Sequence, residues 1–237
     1  GSSTELVKLE GSIVHLRLQK KQGVTLTKKN EMVVSSDLSY KIPNVVYKHF
    51  APSFTATASN ADGDQTWYNT TDTKFVITTA DELIGFSKLS QTNSFEDKTV
   101  YLGCDIELYS INDNGGASNW NASSKPDGDN TLTWTPIGTT SDYRFAGVFD
   151  GQGHTISGIY ANAANNVGLF NRPTKKSYIK NFKLINSSFN GINGSKSTDH
   201  GDVNIGSITG SGAGTIDGVY SEAYVRVRGD RAGGITG

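Results

Sequence analysis

The chain alternates apolar and polar residues in short runs, and helix-period patterning is almost absent. The alternation is clean in Ile13-Val14-His15-Leu16-Arg17-Leu18, and Val24-Thr25-Leu26, Met32-Val33-Val34, Val45-Val46-Tyr47 and Phe54-Thr55-Ala56-Thr57 follow at short intervals. Such runs, rich in β-branched and aromatic residues and separated by Gly, Asn, Asp and Ser, predict strands and turns. Residues 1–64 are therefore expected to form a small antiparallel β module. It ends in a polar cluster over 59–64, whose backbone can stay solvated. A second unit is expected over 65–237. Near its start Thr79 and Glu82 make a capping box, and Leu83, Phe86 and Leu89 fall on one face, which predicts a helix over about 80–90. Beyond it Val100, Leu102, Cys104, Ile106 and Leu108 share one parity while Tyr101, Asp105 and Glu107 take the other. That is a strand with one buried face. Cys104 lies among the inward residues and reads as a small buried hydrophobe rather than a nucleophile.

The C-terminal half repeats itself. Ala146-Gly147-Val148-Phe149 returns as Val167-Gly168-Leu169-Phe170, Ile205-Gly206-Ser207-Ile208 and Ala232-Gly233-Gly234-Ile235. A second pattern follows the first three copies: Ile156-Ser157-Gly158-Ile159, Ile179-Lys180-Asn181-Phe182 and Ile216-Asp217-Gly218-Val219. Its third slot holds Gly, Asn, Gly, the residues that accept positive φ most readily, so that slot is expected to turn the backbone. Repeats of roughly 20 to 40 residues that cannot bury an apolar face alone predict a solenoid of stacked passes. Phe149, Phe170, Ile208 and Ile235 are expected to form one internal ladder, with extra residues held in edge loops, chiefly 190–204. The competing arrangement is a sandwich with coincidental glycine spacing. The last repeat begins at Gly233-Gly234-Ile235, so the chain is expected to be a cut piece with an exposed last pass.

The string from Phe145 through Phe149-Asp150-Gly151-Gln152-Gly153-His154-Thr155-Ile156, followed by Val167-Gly168-Leu169-Phe170, resembles the GLUG repeat of bacterial surface proteins. The segment before it is similar to the lead-in of such repeats, in Trp67-Tyr68, Ile77-Thr78-Thr79-Ala80-Asp81-Glu82-Leu83, Asp105-Ile106-Glu107-Leu108 and Trp134-Thr135-Pro136-Ile137-Gly138. The resemblance covers about 67–237. It implies a parallel β-helix-like solenoid with the short helix capping its N-terminal end, in large secreted or wall-attached proteins. It implies no catalytic residues. The chain departs from the usual pattern at Ser207, Thr209 and Thr236, and Asn171 stands where a glycine is expected.

Composition narrows the functions. The 237 residues carry 22 basic and 23 acidic side chains, a formal charge of -1, so there is no basic surplus for nucleic acid. One cysteine makes no internal disulfide, and no Cys/His cluster has the spacing of a zinc site. No apolar run reaches the roughly 20 residues needed to span a bilayer. Only 35% of residues are hydrophobic, and the 27 glycines explain how so polar a chain builds a core: matched turns let passes stack.

Two insertions carry the candidate ligand-binding residues. Over 110–130, Trp120 amid polar neighbours is suited to stack on a sugar ring, and Asp127 and Asp129 offer hard oxygens to calcium without the full EF-hand order. The alternative for Trp120 is a ring folded back over the solenoid edge. In the second insertion Asp199-His200-Gly201-Asp202 gathers two carboxylates and an imidazole, suited to a cation or to acid and base work. It is also ordinary loop composition. His154 reads as a turn residue, and Arg226 and Arg228 as a solvated strand face balanced by Glu222 and Asp230. The expected function is a non-enzymatic stalk or adhesin-like module on a bacterial cell surface. It would hold edge loops out for contact with a host glycan, polysaccharide or surface protein, with no metal or other cofactor beyond the calcium reading. The alternative is a carbohydrate-active β-helix enzyme, or the non-catalytic part of a larger secreted hydrolase or peptidase.

Overall fold

The computed structural model describes residues 32–33, 41–42, 61–110, 112–163, 166–191, 204–227 and 231–237. The chain divides into two compact units, Gly1–Lys48 and His49–Gly237. In the first, β1 (Met32–Val33) pairs antiparallel with β2 (Lys41–Ile42), Met32 opposite Ile42. The other strands expected before residue 60 lie outside the described residues. The division after Lys48 precedes the turn cluster taken from the sequence as the boundary.

The second unit is strands with one helix. β3 (Lys74–Ile77), α1 (Ala80–Leu89), β4 (Thr99–Leu102), β5 (Ile106–Glu107), β6 (Val148–Asp150), β7 (Thr155–Ser157) and β8 (Tyr160–Ala163) lead to the 14-residue β9 (Tyr178–Gly191). Then come β10 (Asn204–Ile205), β11 (Thr215–Val227) and β12 (Arg231–Ala232). Eight of these strands form one sheet, β10 and β12 pair separately, and every strand pairing described in this unit is parallel.

Register shows why the residues were chosen. Phe75, Val100, Phe149, Ile179 and Ile216 stand opposite one another on β3, β4, β6, β9 and β11. The first four are at most 4% exposed and Ile216 is half-buried, so one apolar row runs through five strands. Ile106, Ile156 and Leu184 make a second buried row, and Ala161 and Phe189, both buried, with half-buried Val225 make a third. Neighbouring strands lie about 4.8 Å apart, so each row keeps its side chains in continuous contact. The single strand β9 runs beside β6, then β7, then β8. It bends between them at Asn181 (φ 58°) and Asn186 (φ 46°), and the pass before it bends at Gln152, Gly153 and Gly158. The Gly/Asn slot is therefore a corner.

The repeats align differently from the sequence expectation. Copies two to four of the first pattern share a register at their heads, Val167 opposite Ile205 and Ile205 opposite Ala232, but Phe170 faces Ile137 and Thr209. The first copy lies in another row, with Phe149 opposite Val100 and Ile179. The four-membered ladder is thus corrected: Phe149 and Phe170 lie in different rows, and Thr209 and Thr236 stand in the Phe170 row where Ile208 and Ile235 were expected. Phe149 and Phe170 still touch, edge-on at 5.5 Å, because both rows face one core. In the second pattern Ile179 and Ile216 pair as expected, whereas Ile156 pairs with Leu184, one corner further along.

Helix α1 follows its capping signal. The Thr79 side chain accepts from the Glu82 amide at 3.1 Å, and Glu82 Oε2 reaches back to accept from the Thr78 amide at 2.7 Å. Leu83 and Phe86 are fully buried, and Phe86 stacks on Phe149 at 6.0 Å, so the helix rests on the first apolar row. Cys104 is buried, and its thiol donates to the Thr78 carbonyl at 2.8 Å.

Candidate functional site

The 110–130 insertion packs against the sheet through the residue expected to bind sugar. Trp120 is fully buried, its indole N–H donates to the Asp113 carbonyl at 2.8 Å, and its ring meets Tyr109 edge-on at 6.0 Å. Neither face is open to a ligand, which corrects the stacking role and matches the folded-back alternative. The Trp120 carbonyl accepts from Ser188 Oγ at 3.0 Å and from Arg226 at 2.9 Å. Arg226 also donates to the Ser118 carbonyl, so it is a strap between β11 and the insertion rather than a solvated charge. Burial pushes the Tyr109 phenol up to about 12; the Leu132 amide that donates to it opposes the shift and the charges of Asp127 and Asp113 add to it.

Asp127 and Asp129 bond to separate partners. Asp127 Oδ2 accepts from Asn130 at 3.0 Å, and exposed Asp129 meets Lys125 at 3.5 Å. Among the described residues no group of three His, Cys, Asp or Glu is placed to hold a metal ion. Asp199, His200 and Asp202 lie outside the described residues.

Other carboxylates serve as corner clasps. Asp150, on β6, accepts from the Gln152 amide (3.0 Å) and Asn181 (3.2 Å) and pairs with Lys180 on β9 at 3.3 Å. Burial raises its pKa, but these hydrogen bonds and the Lys180 charge together outweigh it and hold the carboxyl below its usual value. Asp105 Oδ1 accepts from the Thr155 amide at 3.0 Å and meets His154 Nδ1 at 3.2 Å, which places His154 in a corner contact between passes.

Two open grooves mark the surface of the second unit. One, about 440 Å³, lies over a corner between Gln152, Asn181, Lys183 and half-exposed Tyr220. The other, about 410 Å³, is lined by Arg144 and Arg172 with hydroxyl and amide side chains, and among the described residues no Asp or Glu lines it. Topology brings these arginines to one place. Ile137 bridges to Phe170, the Asn171 amide donates to the Ile137 carbonyl at 2.9 Å, and the Thr174 amide donates to the Phe145 carbonyl at 2.9 Å. The segment from Ile137 to Phe145 thus lies along residues 170–174, with Phe145 and Phe170 buried together at 5.0 Å. Arg172 Nε donates to Ser211 Oγ at 3.1 Å, and neither arginine has an ion-pair partner among the described residues. Asp142, near Arg144 in sequence, does not line the groove and accepts from Ser141 Oγ at 3.2 Å. Asn171, the departure from the repeat, sits here as well and donates to the Asn166 carbonyl at 2.8 Å.

No family model matches the chain, and no solved structure matches it. Over 163 residues, 67% of its length, the chain is 29% identical to halomucin of Haloquadratum walsbyi. It spans 2% of the length of that protein.

Proposed function

We propose that the second unit is a β-solenoid of the GLUG type and that the chain is a non-enzymatic, extracellular surface module, a stiff scaffold that presents grooves and insertions to glycans or other surface ligands. The observation that carries this reading is the five-strand row from Phe75 to Ile216, in register and apolar throughout. A row of that kind gives stiffness without a large core, since each pass closes the one before it. The corner clasps at Asp150 and Asp105 support it, because there the charged groups tie passes together. The similarity to halomucin, a protein of an archaeon, supports a surface location and gives no support to a bacterial origin. The test is a panel of immobilised glycans probed with the 237-residue chain, with release of reducing sugar followed in parallel. Binding without turnover is expected. Turnover rejects the non-enzymatic reading, and folded protein that binds nothing on the panel rejects glycan display and leaves the stalk alone.

A further inference from the structure

We propose that the groove between Arg144 and Arg172 is a binding site for an acidic saccharide, a sugar unit bearing a carboxylate or sulfate. The proposal rests on the display reading and gives it a location. Two guanidinium groups line one groove, and among the described residues no carboxylate lines it and neither arginine is ion-paired. A guanidinium presents a planar fork of donors that fits carboxylate and sulfate oxygens, and an anion is the natural complement of two such forks. The remaining walls favour a sugar over a bare ion. Thr139, Ser141 and Asn166 place hydroxyl and amide groups beside the arginines, matching the ring hydroxyls of a saccharide, and about 410 Å³ is far more room than one inorganic anion fills. One arm of the site is held in place: Arg172 is half-buried and donates through Nε to Ser211 Oγ, so it loses little freedom on binding. Arg144 is exposed, and the buried Phe145 beside it ties down its backbone.

The experiment titrates the full chain with three oligosaccharides of equal length: a uronate, a sulfated sugar and a neutral one. The account predicts binding of at least one acidic sugar, weakened at high salt, and an affinity at least about tenfold lower for the neutral one. The double variant Arg144→Gln, Arg172→Gln is expected to lose about tenfold or more toward the acidic sugar, while Tyr220→Ala in the other groove leaves it unchanged. Arg144→Gln alone, at an exposed side chain with no hydrogen bond in the core, separates loss of binding from loss of folding and is expected to lose at least about threefold. Equal affinity for the neutral sugar, or acidic binding that persists in both arginine variants, overturns the site while leaving the display reading standing. Absence of binding to all three sugars and to the wider panel overturns the site and glycan display together.

Discussion

At a corner, one residue decides whether the chain can turn and whether the next pass can lie down upon it. Gly158 has φ 72°, and a Cβ there would stand 2.2 Å from the Tyr109 carbonyl oxygen. Gly153 has φ 80° with nothing within 4 Å of the same added atom. Gly158→Ala is therefore expected to destabilise by roughly 3 kcal/mol or more, since strain and a backbone clash add, and Gly153→Ala by about 1 kcal/mol from strain alone. Thermal or denaturant unfolding of the two variants separates them, and equal losses would contradict the stacking of Gly158 on Tyr109. Asp150 makes a second test at this scale. Its folded carboxyl titrates below the ordinary value of about 3.9, so its contribution is present above that pH and is lost as pH falls through the folded value. Asp150→Asn should flatten the acid limb of the stability curve below about pH 4 and leave its slope near neutrality unchanged.

Elements show which parts of the sequence were legible. Helix α1 was, because a capping box and an apolar stripe are local signals, and Thr79→Ala is expected to cost about 1 kcal/mol by removing the cap. The inward parity from Val100 to Leu108 was equally readable and is buried throughout, but the one strand expected there is two, β4 and β5, broken over 103–105 and paired with different neighbours. The alignment of repeats was only partly readable. An apolar residue, a spacer, Gly or Asn, and another apolar residue describe any corner, so Ile156 and Ile179 look equivalent in sequence yet belong to successive corners. Trp120 misled for a related reason: polar neighbours in sequence do not reveal the Tyr109 and Ser188 contacts that cover it. Arg144 and Arg172 carried no local signal at all. They converge only through the bridge of Ile137 to Phe170, a long-range register that a single sequence does not display.

Across the second unit, the apolar rows thin toward β11. Ile179 is fully buried between β6 and β11, whereas Ile216 on β11 is half-buried, and β11 pairs with β9 alone among the described residues. Ile179→Ala is expected to cost about 3 to 5 kcal/mol and Ile216→Ala less than half of that, a gradient that unfolding midpoints will show. Equal costs would mean that β11 is covered as fully as β9. The central claim is the parallel, in-register stack, and paired cysteines test it most directly. Tyr178 stands opposite Thr215 at one end of the β9 and β11 pairing, and Lys183 opposite Tyr220 past the first corner. In-register parallel partners bring Cα atoms to about 5 Å, within disulfide range. The measurement is mass spectrometry of the oxidised double variants Tyr178→Cys, Thr215→Cys and Lys183→Cys, Tyr220→Cys, beside the offset pair Lys183→Cys, Thr215→Cys. The account predicts a cross-link in both in-register variants and none in the offset pair; a cross-link in the offset pair, or in only one of the other two, would contradict it.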